Sequence, residues 1–148
     1  MFKKAVWTVT VAMAVVFGAS LQASDALKAI VGSYLEIQAR LAADKIDGVK
    51  PAAQAIGEQA ARMGPSGDAI AKSAKAIAGA TDLQAARLAF GDLSEAVIAV
   101  GKAEGWKDVP EVKLAYCPMV KKAWIQKEPE IRNPYYGAAM LTCGNFTK

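Results

Sequence analysis

The residues of this chain best suited to chemistry are two cysteines and two methionines in its last third. They lie in two short groups, Cys117-Pro118-Met119 and Met140-Leu141-Thr142-Cys143-Gly144. Thiolates and thioethers are the polarizable ligands that copper(I) and silver(I) prefer. The four candidate metal ligands are Cys117, Met119, Met140 and Cys143.

The spacing within each group suits a shared site. Cys117 and Met119 project to the same side if the chain there is extended, and Pro118 stiffens that pair. Met140 and Cys143 are three positions apart and lie on one face if their segment is helical. A soft-metal site of two to four sulfur ligands is therefore feasible if the fold joins the two groups.

The same two cysteines have a simpler interpretation. A disulfide between Cys117 and Cys143 would stabilise a small domain by roughly 3 kcal/mol in the chain-entropy model. In that case Met119 and Met140 fill space in the core. A redox-active pair is a third interpretation, which the lack of a Cys-x-x-Cys motif disfavours.

The chain contains no histidine. This absence excludes Ser-His-Asp and Cys-His catalysis, and it excludes zinc or copper(II) sites that contain histidine. A solvated charged face is indicated by the cluster of lysines 121, 122 and 127 with glutamates 128 and 130. The sequence therefore predicts a protein that is not an enzyme.

The N-terminus has the pattern of a secretory signal. Two lysines at positions 3 and 4 precede an apolar run over residues 5–18, and small and polar residues follow, with cleavage expected after Ala23. An uncleaved anchor helix is the alternative, although polar residues in this stretch weaken a membrane span. We expect residues 1–23 to be removed and the protein to be periplasmic or secreted, without a stable membrane span.

The charge balance limits the possible partners. The formal net charge is +4, and removal of residues 1–23 takes away two lysines and no acid, which leaves +2. Acidic and basic residues are interspersed, and the aromatic residues do not alternate with lysines as in a stacking platform. Nucleic acid is therefore not expected as a partner.

Residues 24–105 have the pattern of a helical bundle. Apolar residues recur at helical spacing, and Gly and Pro separate the segments. A capping box, Thr81-Asp82-Leu83-Gln84, marks the start of the last helix. The predicted fold class is all-α, an antiparallel four-helix bundle. Its helices are expected over residues 25–45, 52–63, 66–78 and 83–103.

Residues 106–148 are expected to form an irregular cap that carries both cysteines. Six of the eight aromatic residues that follow the signal lie here, so the segment must fold against the bundle to bury them. Residues 111–116 suggest a short extended piece, and residues 136–141 a short helix or strand. Residues 24–148 are thus one domain. The cap residues expected to pack or turn are Trp124, Asn133, Pro134, Tyr135, Tyr136 and Gly137.

The cap resembles a family of uncharacterised domains exported by bacteria. Its members carry a C-P-M element, an N-P-Y-[YF]-G turn and a closing M-L-x-C-G. Here these elements are Cys117-Pro118-Met119, residues 133–137 and residues 140–144. The rest of the chain resembles the family only loosely, through Tyr34-Leu35 and through Arg87 to Phe90.

The resemblance implies a small helical periplasmic domain. In that family the domain also occurs fused to periplasmic adaptor subunits of copper and silver efflux pumps. The resemblance therefore favours copper(I) or silver(I) as the bound ion and an efflux adaptor or a metal donor protein as partner. A protein-interaction module with a disulfide and no metal is the alternative function.

Overall fold

The computed structural model describes residues 12–148, with side chains described from residue 22 onward. Four helices are followed by three strands. The helices are α1 (Ala12–Ala42), α2 (Val49–Ala61), α3 (Asp68–Ala78) and α4 (Leu83–Glu104). The strands are β1 (Lys113–Cys117), β2 (Lys122–Gln126) and β3 (Asn145–Phe146).

The predicted signal, residues 1–23, lies about half outside the described residues, and nearly all of its side chains do. The first helix begins at Ala12, which is N-terminal to the expected start at Asp25. Between residues 12 and 148, no helix combines the length and the apolar character that a membrane crossing requires. Cleavage after Ala23 remains a prediction.

Glycines and an N-cap residue mark the ends of the helices. Gly48 adopts a left-handed φ of 78° immediately before α2, and Gly105 does so with a φ of 73° after α4. Asp82 is the N-cap of α4, because its carboxylate accepts a hydrogen bond from the Ala85 amide at 2.8 Å. The cap therefore lies one residue after Thr81, the position that the sequence suggested.

The prediction of an all-α fold is wrong, because the C-terminal segment contains a three-stranded antiparallel sheet in the order β2-β1-β3. The irregular cap is therefore a small sheet joined by turns. The extended piece expected at residues 111–116 overlaps β1, and a 3-10 turn over Gly137–Met140 lies where a short helix or strand was expected. Strands β2 and β3 were not predicted, since such short strands depend on their cross-strand partners.

The sheet packs against the helices through its strand β2. This strand contacts α4 and α1, and the helices contact one another in chain order, with α1 also touching α4. Trp124 and Ile125 of β2 are buried in the same core as the helices. Bundle and sheet thus share one core, which fixes the C-terminal segment on the helices.

A row of aromatic rings joins the helices to the sheet. The rings of Tyr34 and Phe90 lie 4.8 Å apart, those of Phe90 and Tyr135 5.9 Å, and those of Tyr135 and Trp124 5.9 Å. Such tilted and edge-on pairs add stability beyond the area that they bury. The aromatic residues of the C-terminal segment therefore bury against α1 and α4.

A hydrogen-bond network runs beside these rings. The Tyr34 hydroxyl lies 2.6 Å from that of Ser94 on α4, and it accepts a hydrogen bond from the Ile125 amide of β2 at 3.3 Å. Both side chains are fully buried. One hydroxyl therefore connects α1, α4 and the sheet.

Candidate thiol site

The fold brings the two cysteines together. Cys117 is the last residue of β1, and Cys143 lies two residues before β3. Because β1 pairs with β3 through Ala115 with Phe146 and Tyr116 with Asn145, the segment before β3 runs past the end of β1. The two Sγ atoms lie 3.7 Å apart, and both cysteines are free thiols.

The two thiols differ in their exposure. Cys117 is fully buried, at 0% exposure, within the shared core. Cys143 is half-buried and packs against that core from the surface side. The pair therefore has an inner and an outer sulfur, and solvent reaches the outer one.

Asn133 holds the second thiol in place. Its buried side chain donates a hydrogen bond to the Cys143 carbonyl at 2.7 Å. Its side-chain oxygen accepts hydrogen bonds from the backbone amides of Tyr135 at 2.8 Å and Tyr136 at 3.3 Å. The backbone amide of Asn133 donates to the Leu141 carbonyl at 2.8 Å. Asn133 was expected to pack or turn within the C-terminal segment, and the structure adds a hydrogen bond from its side chain to the cysteine segment.

The surroundings of Cys117 favour its thiolate. Burial raises the pKa of this thiol, but hydrogen bonds from the Val120 amide and the Asn133 side chain lower it. The Met119 amide and the Cys143 thiol lower it further, and the pKa lies below its usual value. Hydrogen bonds to a sulfur favour its charged form in this way.

The pKa of the Cys143 thiol moves in the opposite direction. Burial raises it, and the hydrogen bond and negative charge of Cys117 add to that effect. The two thiols are close enough that they titrate as a pair. The pKa of Cys117 is therefore lowered and that of Cys143 raised by the same contact.

The two candidate methionines are placed differently from each other. Met119 is 62% exposed, in the turn that follows Cys117. Met140 is half-buried, and its backbone carbonyl accepts a hydrogen bond from the Cys143 amide at 3.0 Å. The structure thus brings the two thiols into contact, and it leaves the Met119 side chain on the surface.

The donor set fits a soft ion that accepts few ligands. Within residues 12–148, no group of three or more cysteine, aspartate, glutamate or histidine side chains is placed to hold a metal ion. A structural zinc site needs four such ligands. Copper(I) and silver(I) prefer polarizable sulfur ligands, which is the type of donor that Cys117 and Cys143 offer.

Two residues that the sequence did not single out as site residues fix the turn at residues 133–137. Arg87 donates hydrogen bonds to the Pro134 carbonyl at 2.9 Å and to the Asp44 carboxylate at 2.6 Å. The other oxygen of Asp44 accepts from the Ala138 amide at 2.9 Å. Only the resemblance pointed to Arg87, and no local signal marked Asp44, because its partners lie far away in sequence.

Gly137 is required where this clamp meets the turn. Its φ is +57°, and a Cβ atom there would collide with the Asp44 carboxylate and the Arg87 guanidinium. Glycine adopts this backbone conformation without strain and leaves room for the ion pair. The N-P-Y-Y-G motif therefore has a structural reason at its last position.

A cavity of about 280 Å³ lies between α4 and the turn after β1. Its walls include Leu88, Val120 and Tyr136. The two basic residues at its rim are already paired, Arg87 with Asp44 and Lys122 with Glu95. The cavity therefore presents a mainly apolar wall. The reactive groups of the C-terminal segment are the two thiols.

Comparison with protein-family models, with curated proteins and with solved structures finds no match to this chain. The likeness of its cysteine motifs to the exported domain family therefore remains a prediction from the sequence. The function has to be inferred from the geometry of the thiol pair and from the residues that hold it.

Proposed function

We propose that this domain binds copper(I) or silver(I) through the thiolates of Cys117 and Cys143 and passes the ion to another protein. The observation that carries the proposal is the pair of free thiols 3.7 Å apart. Two unlinked sulfurs at this distance from separate segments provide a preformed pair of soft ligands. Met119 and Met140 are the candidates for an additional thioether.

The surroundings of the pair support a binding role. Hydrogen bonds from neighbouring amides lower the pKa of the inner thiol, and this favours metal binding because bound thiols must be deprotonated. Because Asn133 fixes the backbone of the outer cysteine, little ordering is needed when the ion binds. A bound copper(I) or silver(I) ion carries one positive charge, which reduces the repulsion between the two thiolates.

The exposure of the site supports transfer of an ion. Cys143 is half-buried and Met119 is 62% exposed, so a partner's sulfur ligand can approach from solvent. Export through the N-terminal segment would place the domain in the periplasm or outside the cell. The expected partner is an efflux adaptor or a metal donor protein.

The test is a competition titration of reduced protein with copper(I) in the absence of oxygen, against a chromogenic chelator of known affinity. Wild type is expected to withdraw one ion per chain from the chelator. Cys117→Ser and Cys143→Ser should each lose this ability, because one thiolate is not enough. Met63→Leu is the matched control, since Met63 is a buried methionine that follows α2 and belongs to neither motif.

The methionines are tested in the same titration. Each of the variants Met119→Leu and Met140→Leu removes one thioether. A variant that has lost a ligand should bind copper(I) about tenfold more weakly, and a variant that has lost a sulfur outside the site should bind it as wild type does. Binding by a Cys117→Ser, Cys143→Ser double variant that equals wild type would contradict the proposal.

The same distance favours a second candidate, a disulfide-linked interaction module that binds no metal. A bond between Cys117 and Cys143 would close a loop of 26 positions and add roughly 3 kcal/mol to the free energy of unfolding. Mass spectrometry of protein isolated from an oxidising compartment separates the two functions. A loss of two hydrogens supports the disulfide, and an added copper mass supports the metal site.

A further inference from the structure

The unequal burial of the two thiols has a chemical consequence for disulfide exchange. A thiol or disulfide from another molecule can reach Cys143, which is half-buried, and has no path to Cys117, whose exposure is 0%. The Cys117 sulfur, however, lies 3.7 Å from that of Cys143. Exchange with an outside molecule must therefore begin at one sulfur and finish at the other.

We propose that Cys117 and Cys143 form a reversible disulfide that exchanges with an external dithiol, with Cys143 as the sulfur that is attacked and Cys117 as the sulfur that leaves. The external reactant is a dithiol of the thioredoxin-like class. The cysteines are far apart in sequence, so the activity does not depend on a Cys-x-x-Cys motif.

Reduction of the protein disulfide by the external dithiol takes two exchange steps. A thiolate of the external dithiol attacks Cys143 Sγ, the bond between the two cysteines breaks, and Cys117 leaves as a thiolate that takes up a proton. The second external thiol then attacks the external sulfur of the mixed disulfide. The external molecule becomes a disulfide, and Cys143 is released as a thiol. The protein disulfide gains two electrons and two protons, and the external dithiol loses them. With an external disulfide the same steps run in reverse.

The regulatory consequence of this exchange rests on the proposed function. The reduced pair offers two thiolates to copper(I), whereas the disulfide offers none. The redox state of an external dithiol would thus decide whether the domain binds metal. The exchange itself requires only the distance and the burial of the two sulfurs.

Single-cysteine variants treated with oxidised glutathione test which sulfur reacts. Cys117→Ser retains Cys143 and should form the glutathione adduct, measured by mass spectrometry, at least about tenfold faster than Cys143→Ser, which retains the buried Cys117. A faster reaction at Cys143 therefore reports access. Equal rates, or a faster Cys143→Ser, would overturn the proposal.

Wild-type protein provides a test that does not depend on a substitution in the core. With oxidised glutathione it should lose two hydrogens and accumulate little mixed disulfide, because Cys117 completes the exchange from within. Limited alkylation of the reduced protein, followed by peptide mapping, should place the first label on Cys143. A first label on Cys117, or a persistent glutathione adduct with no internal disulfide, would overturn the proposal.

The copper(I) titration separates the two proposals. If reduced wild type binds no copper(I) but exchanges through Cys143, only the metal function fails. If it binds copper(I) and the first label appears on Cys117, only the exchange mechanism fails. Oxidised wild type that binds copper(I) as well as the reduced protein does would contradict the redox control of binding.

Discussion

The side-chain amide of Asn133 donates a hydrogen bond of 2.7 Å to the backbone carbonyl of Cys143. Through this bond a fully buried asparagine in one turn fixes the segment that carries the outer thiol. The same side chain accepts hydrogen bonds from the amides of Tyr135 and Tyr136. The shape of the thiol site therefore depends on a residue that contributes no sulfur.

Replacing Asn133 with alanine should destabilise the protein by about 2–4 kcal/mol. The Cys143 carbonyl and the amides of Tyr135 and Tyr136 would lose the hydrogen bonds that the buried asparagine side chain makes with them. Urea unfolding followed by far-ultraviolet circular dichroism measures the change. Asn145→Ala is the control, since Asn145 is exposed, and it should cost within about 0.5 kcal/mol. Equal effects of the two substitutions would contradict the role assigned to Asn133.

Two glycines with left-handed backbones provide a matched comparison. Gly64 has a φ of +60° with open space where a Cβ would lie, whereas Gly137 has a φ of +57° and faces Asp44 and Arg87. Gly64→Ala should cost about 1–2 kcal/mol from backbone strain alone. Gly137→Ala should cost at least about 2 kcal/mol more, because it also breaks the clamp. Thermal unfolding of the two variants checks this difference, and similar costs would show that the clamp adds nothing.

The pairing of Asp44 with Arg87 predicts a dependence of stability on pH. The hydrogen bond from Arg87 and then that from the Ala138 amide lower the pKa of the Asp44 carboxyl below its ordinary value. A carboxyl whose pKa is lower in the folded state contributes stability above its unfolded pKa, and this contribution is lost as pH falls through the folded pKa.

The free energy of unfolding of wild type should therefore exceed that of Asp44→Asn by a constant amount between about pH 5 and pH 7, and the gap should narrow below about pH 4. Urea unfolding at a series of pH values measures it. In an Arg87→Met background the effect of Asp44→Asn should be smaller and should vary less with pH. A gap that persists unchanged to about pH 3 would be inconsistent with this prediction.

Removing the buried hydroxyl of Tyr34 should be costly. Tyr34→Phe leaves the Ser94 hydroxyl and the Ile125 amide without this partner, so we expect a loss of about 1–3 kcal/mol. Tyr116→Phe removes a hydroxyl from a residue that is 39% exposed, and it should change stability by less than about 0.5 kcal/mol. Chemical unfolding of both variants, monitored by tryptophan fluorescence, gives the comparison.

The helices could be predicted from the sequence because their signals are local. Apolar residues at helical spacing mark the buried side of α1 from Leu27 to Leu41, and Gly105 terminates α4 as expected. Periodicity and turn residues depend on neighbours a few positions away, so the chain itself displays them.

The sheet could not be predicted in this way. Strand β3 has two residues, and its pairing with β1 joins Phe146 to Ala115, 31 positions earlier. Nothing within a window around residue 146 marks it as a strand. Pairing between distant segments stabilises such a strand, and a sequence pattern does not contain that information.

For the thiol site, the sequence by itself determined which residues can act: two cysteines, no histidine and two nearby methionines. Only the tertiary structure decided that Cys117 and Cys143 meet at 3.7 Å, that one is buried and the other reachable, and that Met119 stays on the surface. The identity of a ligand atom is a property of its residue. Its distance from another ligand and its access to solvent depend on how β1, β3 and the turn at Asn133 pack together, and these are contacts between residues far apart in the chain.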